Sequence, residues 1–367
     1  MVMAGAAAGL QHLVDVKSAF APELPHHYAM HALGVIVGFA VVFRTNLGWG
    51  RYWEAVTQLH FMYSKWADAY SQIMAFACVS MKRASQQDTE EANARYNRIN
   101  MCLTRLDHHF SLMSAIAADR LTHGDTQRME ILREVAPWSK QIALRREIRT
   151  EDLTGARTMP RFKATFTRAA TGLRETANAV SNDWRDRLYI VKGSLSPDEL
   201  EVLEKAVDRT TVIMAWILYE LADISVDIAI APPIQSRIYQ ELSNGMLGFQ
   251  QALKIADIPF PFPYAQLLTL LLVSYACCIP IYIVCFTDSM ILSPIMSFLL
   301  FQGIWGINET AKELENPFGP DVNDISLADF HIRFVGTCQE VSDAHQARLT
   351  PAARRSTRPI DVANSEH

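Results

Sequence analysis

Two apolar blocks in the C-terminal half of this chain constrain its fold most. Residues 259–286 contain no charged side chain, and after Asp288 the sequence is uncharged again over residues 289–308. A transmembrane α-helix needs about 20 apolar residues, and inside a bilayer only helices and closed barrels satisfy their backbone polar groups. We therefore predict two membrane helices joined by a tight turn, with kinks at Pro280 and Pro294.

A third apolar segment, residues 28–49, is also long enough to cross a bilayer and carries a stripe of large side chains. Val35, Phe39 and Phe43 recur every four residues, so on a helix they share one face. Such a face is typical of a buried or lipid-facing helix, and also of a pore-lining helix whose stripe forms a hydrophobic constriction. The segment alone leaves both interpretations open.

Beyond the stripe the sequence turns polar while keeping helical spacing. Arg44 and Arg51 have the positions of interfacial anchors. The amphipathic pattern over residues 53–70 then predicts one long helix that leaves the bilayer and continues into water. In the polar region that follows, we expect helices near residues 91–118, 126–146 and 161–186, with a loop at 147–160.

A strong helix start lies at residues 196–199. Ser196 is predicted as the N-cap, Pro197 occupies the first turn, and Glu199 is placed to close a capping box. Apolar spacing from Leu200 to Trp216 predicts that the same helix continues to that point.

The composition indicates a membrane protein with a large water-facing part. Half of the 367 residues are hydrophobic, and the mean hydropathy is +0.04. A net charge of −5 is small for this length and predicts no nucleic-acid partner. The six cysteines show no metal-ligand spacing and no disulfide framework, which fits reduced or lipid-buried thiols.

Two adjacent pairs, His26-His27 and His108-His109, are the only histidine features that invite a metal interpretation. Neighbouring residues on a helix point about 100° apart, and no carboxylate or cysteine is spaced along the chain to complete a site. We interpret both pairs as ordinary polar histidines. The sequence also shows no phosphate loop, nucleophile elbow or paired catalytic carboxylates, so an enzymatic function has no residues to name.

The acidic stretch at residues 313–324 has two interpretations. Asp321 and Asp324 are either caps and turn formers around Gly319 and Pro320, or oxygen ligands of a weak calcium site.

Three motifs in this order resemble the bestrophin family. They are Arg51-Tyr-Trp-Glu54, Pro261-Phe-Pro-Tyr-Ala-Gln266 and Glu315-Asn-Pro-Phe-Gly-Pro-Asp-Val-Asn-Asp324. The resemblance extends over about residues 33–327. In the middle third, the pattern of the sequence matches better than the individual residue identities do. Members of the family are homopentameric anion channels, and the resemblance implies a channel for chloride, with bicarbonate as a second candidate ion.

The resemblance also implies positions for the narrow parts of the pore. The family's three-ring hydrophobic neck falls on Val35, Phe39 and Phe43, the stripe that helical spacing already isolates. Its cytosolic aperture falls on Ile234, which follows Pro233 in a stretch where we expect the helical pattern to be interrupted.

The calcium clasp of the animal members would place side-chain ligands on Asp321 and Asp324, with backbone carbonyls near Glu313 and Asn316. The acidic run of those members is here interrupted by Pro320, Val322 and Asn323. The N-terminal segment that helps to build the clasp is expected to be missing. We therefore expect that no cofactor is required and that calcium dependence is doubtful.

These observations predict an all-α, multi-pass membrane protein with a large cytosolic helical bundle, built as a bestrophin-like pentameric channel. We assign 1–27 to the remnant of a first membrane helix and loop, 28–49 to a pore-lining membrane helix, 50–258 to a cytosolic helical region, 259–287 and 288–308 to membrane helices, 309–349 to a cytosolic C-terminal segment, and 350–367 to a disordered tail. The predicted partners are chloride and other small anions, the lipid bilayer and four further copies of the chain. A non-conducting membrane scaffold and a membrane-bound enzyme are the alternatives.

Overall fold

The computed structural model describes residues 28–87, 89–124, 189, 191–287, 289–319 and 324–349. Within these ranges the regular structure is entirely helical, as the sequence predicts. The described residues form eight helices: α1 (Tyr28–Ala84), α2 (Glu90–His123), α3 (Pro197–Lys205), α4 (Arg209–Ile228), α5 (Pro232–Asp257), α6 (Phe262–Phe286), α7 (Leu292–Glu315) and α8 (Leu327–Leu349). The predicted helices at 126–146 and 161–186, the loop at 147–160 and both chain ends, 1–27 and 350–367, lie outside the described residues.

The chain divides into two compact units, each built from separate stretches of sequence. The first, which we call the apolar unit, comprises Met1–Thr57 and Lys254–Gly319. The second, which we call the polar unit, comprises Gln58–Leu253 and Pro320–His367.

In the apolar unit, the first part of α1 packs on α6 and α7. The centre of this packing is a cluster of Val37, Val41, Leu268 and Leu272, each at most 3% exposed. Two described helices, α1 and α6, are long and apolar enough to cross a membrane, by length and composition.

Helix α7 differs from the prediction in two respects. It continues without a break past residue 308 to Glu315. Pro294 lies in the first turn of the helix rather than in its interior. An N–H group in the first turn has no partner within the helix, so a proline there removes no hydrogen bond and the predicted cause of a kink is absent. Pro280, by contrast, does lie inside α6.

The polar unit is a bundle in which α2 packs on α4 and on α8. Large buried side chains fill its core, among them Trp66, Tyr70, Phe110 and Phe249. The predicted helix at 91–118 is confirmed as α2, which begins one residue earlier and ends five residues later.

The capping box before α3 is confirmed, but the length of that helix was predicted wrongly. The Ser196 hydroxyl accepts a hydrogen bond from the amide of Glu199, and the Glu199 side chain accepts one from the amide of Ser196. The helix then ends at Lys205, because the backbone of Ala206 is extended. Asp208 caps a new helix, since its carboxylate accepts from the amide of Thr211.

Candidate functional site

The predicted stripe lies on a largely exposed face of α1. Val35 is 71% exposed, Phe39 74% and Phe43 44%. The two phenylalanine rings stack at 6.4 Å between centroids. Within a single chain these side chains are therefore not core residues, which excludes the buried-helix interpretation for one isolated copy.

The opposite face of the same helix segment is packed. Val37 and Val41 are 0% and 1% exposed, and at 100° per residue they lie roughly opposite the stripe. One face thus fixes α1 to its neighbours and leaves the other face available. These contacts lie within one chain and determine which face of α1 carries the stripe.

Tyr264 joins α6 to the stripe. Its hydroxyl donates to the carbonyl of Ala40 at 2.9 Å, and its ring meets Phe43 edge-on at 6.1 Å. In the sequence, the aromatic motif at residues 261–266 indicates only the family resemblance. In the structure, its Tyr264 also packs against Phe43, the last residue of the stripe.

Arg44 ends the stripe with a buried ion pair. Its side chain is 4% exposed and meets the carboxylate of Glu315 through two nitrogens, Nε to Oε1 and Nη2 to Oε2, the second at 2.7 Å. Nη1 donates to the Oδ1 atom of Asn308 at 3.0 Å, and the guanidinium lies over the ring of Phe260. Bidentate pairing of this kind fixes both distance and orientation. The sequence suggested an interfacial anchor at Arg44; the structure shows an internal clamp between α1 and α7.

Arg51, two helical turns further on, binds three backbone carbonyls. Nε donates to the carbonyl of Glu315 at 3.1 Å, while Nη2 donates to those of Ile255 at 3.0 Å and Ile258 at 2.8 Å. The last carbonyls of a helix have no partner within it and carry negative charge. Arg51 therefore caps the ends of α5 and α7 together.

Between the two arginines, Gly48 permits the close approach of α7. A Cβ atom at this position would lie 3.1 Å from the carbonyl oxygen of Ala311 and 3.3 Å from the Cβ of Leu314. The absence of a side chain thus brings α7 near enough for both arginines to reach Glu315.

The predicted aperture residue, Ile234, lies in the first turn of α5 and is 41% exposed. Its amide donates to the carbonyl of Ala231 at 2.9 Å. The helical pattern is interrupted just before the two prolines, between Ile228 and Pro232, as expected, but Ile234 itself is helical. Pro232 and Pro233 begin the helix instead, because proline at the first helical positions sacrifices no hydrogen bond.

Of the two predicted calcium ligands, Asp324 is half-buried and Asp321 lies outside the described residues. The backbone of Asn316 follows the last turn of α7, and its side chain is exposed. The pair His26-His27 also lies outside the described residues, whereas His108-His109 lies on α2.

A protein-family model described as Bacterial/Fungal Bestrophin protein matches residues 119–334, more than half of the chain. The chain belongs to the bacterial and fungal bestrophin family. The resemblance predicted from three motifs is thus confirmed. The matched range includes α6, α7 and the signature at 315–324, and it begins after the stripe on α1.

Solved bestrophin structures share the fold. Two structures of a bacterial bestrophin homologue from Klebsiella pneumoniae, one of them a point mutant, each have 12% sequence identity and a TM-score of 0.59, covering 93% of this chain and 98% of that one. A further structure, described as a membrane protein, has 12% identity and a TM-score of 0.56, covering 87% of this chain and 88% of that one. None of the curated protein sequences compared with the chain matches it.

At this identity the likeness shows the fold. Family and fold together support a membrane-embedded, bestrophin-like channel in general terms.

Proposed function

We propose that the chain is one subunit of a homopentameric anion channel that conducts chloride, with bicarbonate as a second ion. The observation that carries this proposal is the exposed stripe of Val35, Phe39 and Phe43, on a helix whose opposite face is packed. A contiguous apolar surface on a single chain indicates a surface for lipid, for another protein or for a narrow passage. Membership of the bestrophin family favours the passage.

Five copies around an axis would turn each stripe residue into a ring. Apolar rings of small radius resist wetting and gate ion flow. The edges of phenylalanine rings carry partial positive charge, so inward-facing Phe39 and Phe43 would stabilise a partly dehydrated anion more than a cation. This accounts for anion preference without a fixed positive charge in the neck.

Ile234 is the proposed cytosolic aperture. Its exposed side chain lies in the first turn of α5, where the positive end of the helix dipole favours anions. We expect Ile234→Ala to change the permeability ratios among anions more than the open probability. Unchanged ratios in an assembled pentamer would refute this position.

The neck is tested by anion flux from proteoliposomes that contain the purified chain. We expect Val35→Ala, Phe39→Ala and Phe43→Ala together to leave a pentamer with a larger, less gated flux. The matched control is Ile36→Ala with Val42→Ala, because both residues are exposed on α1 beside the stripe.

Flux equal to that of the parent in the triple variant would show that the stripe is not the neck. Absence of flux from an assembled parent pentamer would favour a non-conducting scaffold. Loss of assembly in the triple variant alone would instead place these side chains in a packed interface, where Phe→Ala costs about 3–5 kcal/mol.

We propose further that the signature at 313–324 is structural and that conduction needs no calcium. Supporting this, Glu315 binds Arg44 through its carboxylate and Arg51 through its carbonyl. Calcium affinity depends on the number and charge of oxygen ligands, and the interruptions at Pro320, Val322 and Asn323 reduce both.

Micromolar calcium should therefore leave the flux unchanged, while Asp321→Ala with Asp324→Ala should lower the melting temperature. A calcium-activated flux that these two substitutions abolish would restore the clasp interpretation.

A further inference from the structure

A second cluster of ligand-type side chains lies in the polar unit, where α2 meets the start of α3. One ring nitrogen each from His108 and His109 and one carboxylate oxygen of Glu199 all lie within 4.8 Å of one another. Glu199 Oε1 is 3.3 Å from Nε2 of His109 and 3.7 Å from Nε2 of His108. Sequence reasoning found no carboxylate near this histidine pair, because Glu199 is 90 residues away from His109 along the chain.

The capping box fixes the orientation of Glu199. Oε2 accepts hydrogen bonds from the amide of Ser196 at 2.8 Å and from its hydroxyl at 2.9 Å. The carboxylate therefore engages the helix start with one oxygen and presents the other, Oε1, to the two histidines.

A backbone contact fixes the tautomer of His108. Its Nδ1 lies 2.7 Å from the carbonyl oxygen of Lys192. Since a carbonyl only accepts, Nδ1 is the donor, and in the neutral ring Nε2 then carries a lone pair. A histidine that donates its other ring nitrogen to a carbonyl is the usual arrangement of a metal-binding imidazole.

Two electron-rich atoms face each other in this arrangement. Nε2 of His108 is buried, has no hydrogen-bond partner among the described residues, and lies 3.7 Å from Oε1. That distance is too long for a hydrogen bond. It is close to the separation of about 3.4 Å between two ligand atoms of one tetrahedral zinc ion, as follows from metal–ligand bonds of about 2.1 Å.

We propose that His108, His109 and Glu199 bind one divalent transition-metal ion, with Zn²⁺ as the expected ion. Two imidazoles and one carboxylate are a ligand set that zinc favours, whereas calcium and magnesium prefer oxygen ligands throughout. A fourth position would be open to solvent, because all three residues line an open cavity of about 840 Å³.

The neighbouring charges leave this ligand set available. The Lys192 ammonium also lines the cavity, but it pairs with Asp107 at 3.3 Å. The Arg105 guanidinium pairs with Glu220 at 2.7 Å. The two nearby cations therefore have carboxylate partners of their own and do not compete for Glu199.

The site is tested on the full chain, purified without an affinity tag, stripped with a chelator and titrated with zinc. Calorimetry should give one high-affinity zinc per chain, and cobalt(II) should give the intense visible absorption of a tetrahedral site. His109→Gln should weaken zinc affinity by more than about 10-fold, since even the loss of an outer partner costs 10–100-fold. Glu199→Gln should do the same while keeping the helix start, because glutamine also closes a capping box.

His60→Gln is the matched control, because that histidine is exposed and lies on α1 away from the cavity. It should bind zinc as tightly as the parent. The proposal fails if the parent binds no zinc above the level of the His109→Gln variant. It also fails if the cobalt spectrum is octahedral and unchanged by that variant, since the metal would then be elsewhere.

Discussion

Replacing Glu315 by glutamine tests whether the clamp between α1 and α7 stabilises the apolar unit. The substitution keeps the size and shape of the side chain and removes its charge. Arg44 would then hold an uncompensated positive charge at 4% exposure. Removing one partner of a buried ion pair costs about 3–5 kcal/mol. Each kcal/mol shifts the melting temperature by about 2–4 °C for 150–250 residues, so the expected decrease is roughly 6–20 °C.

The matched control lies on the same helix. Glu309 pairs with Lys312 at 2.8 Å, but both side chains are nearly half exposed. Exposed pairs contribute about 0–1 kcal/mol, so Glu309→Gln should change the melting temperature by at most about 4 °C. The assay is thermal unfolding of detergent-purified protein at one scan rate and one salt concentration.

Equal decreases in the two variants would refute the clamp. A second comparison isolates the charge itself, because Arg44→Met combined with Glu315→Leu removes both charges and keeps the apolar volume. Replacing a buried pair in this way is often neutral or stabilising, so the double variant should melt above Glu315→Gln alone. If the double variant melts at as low a temperature as Glu315→Gln alone, the uncompensated charge on Arg44 is not the cause of the lower melting temperature.

Two further substitutions test the polar unit and its pH dependence. Gly248→Ala would place a methyl group 2.9 Å from the backbone nitrogen of Met62, and we expect a loss of about 1–3 kcal/mol in denaturant unfolding; Gly50→Ala, in open space, should be neutral or stabilising. A hydrogen bond from Arg98 lowers the pKa of Asp227 below its ordinary value of 3.8, despite partial burial. The pair therefore stabilises the fold at a pH above 3.8, and this stabilisation is lost as the pH falls through the lowered pKa. Asp227→Asn should therefore melt below the parent at pH 7, and the difference should shrink at pH 3; a difference independent of pH would contradict this.

Features that depend on neighbouring residues could be predicted from the sequence. The helical class, the long α1 and the capping box at Ser196 all follow from spacing within one or two turns. The break between α3 and α4 was missed because apolar spacing continues across Ala206 and Val207, although Asp208 carried a cap signal that could have been used.

Features that depend on distant partners could not be predicted. Arg44 and Glu315 are 271 residues apart, and a lone arginine after an apolar segment looks the same whether it binds lipid headgroups or a buried carboxylate. Periodicity isolated the stripe from Val35 to Phe43, but the surroundings of an exposed face depend on copies of the chain that one sequence does not place.

The partners of Arg44 and Arg51 also set the order in which the apolar unit can be completed during synthesis. Both arginines are synthesised before the carbonyls and the carboxylate that they bind, which belong to residues 255–315. At about 5–20 residues per second, the interval before Glu315 is made is roughly 15–50 s. Until then α1 lacks these partners for its two guanidinium groups, so the apolar unit can be completed only after residue 315 has been made.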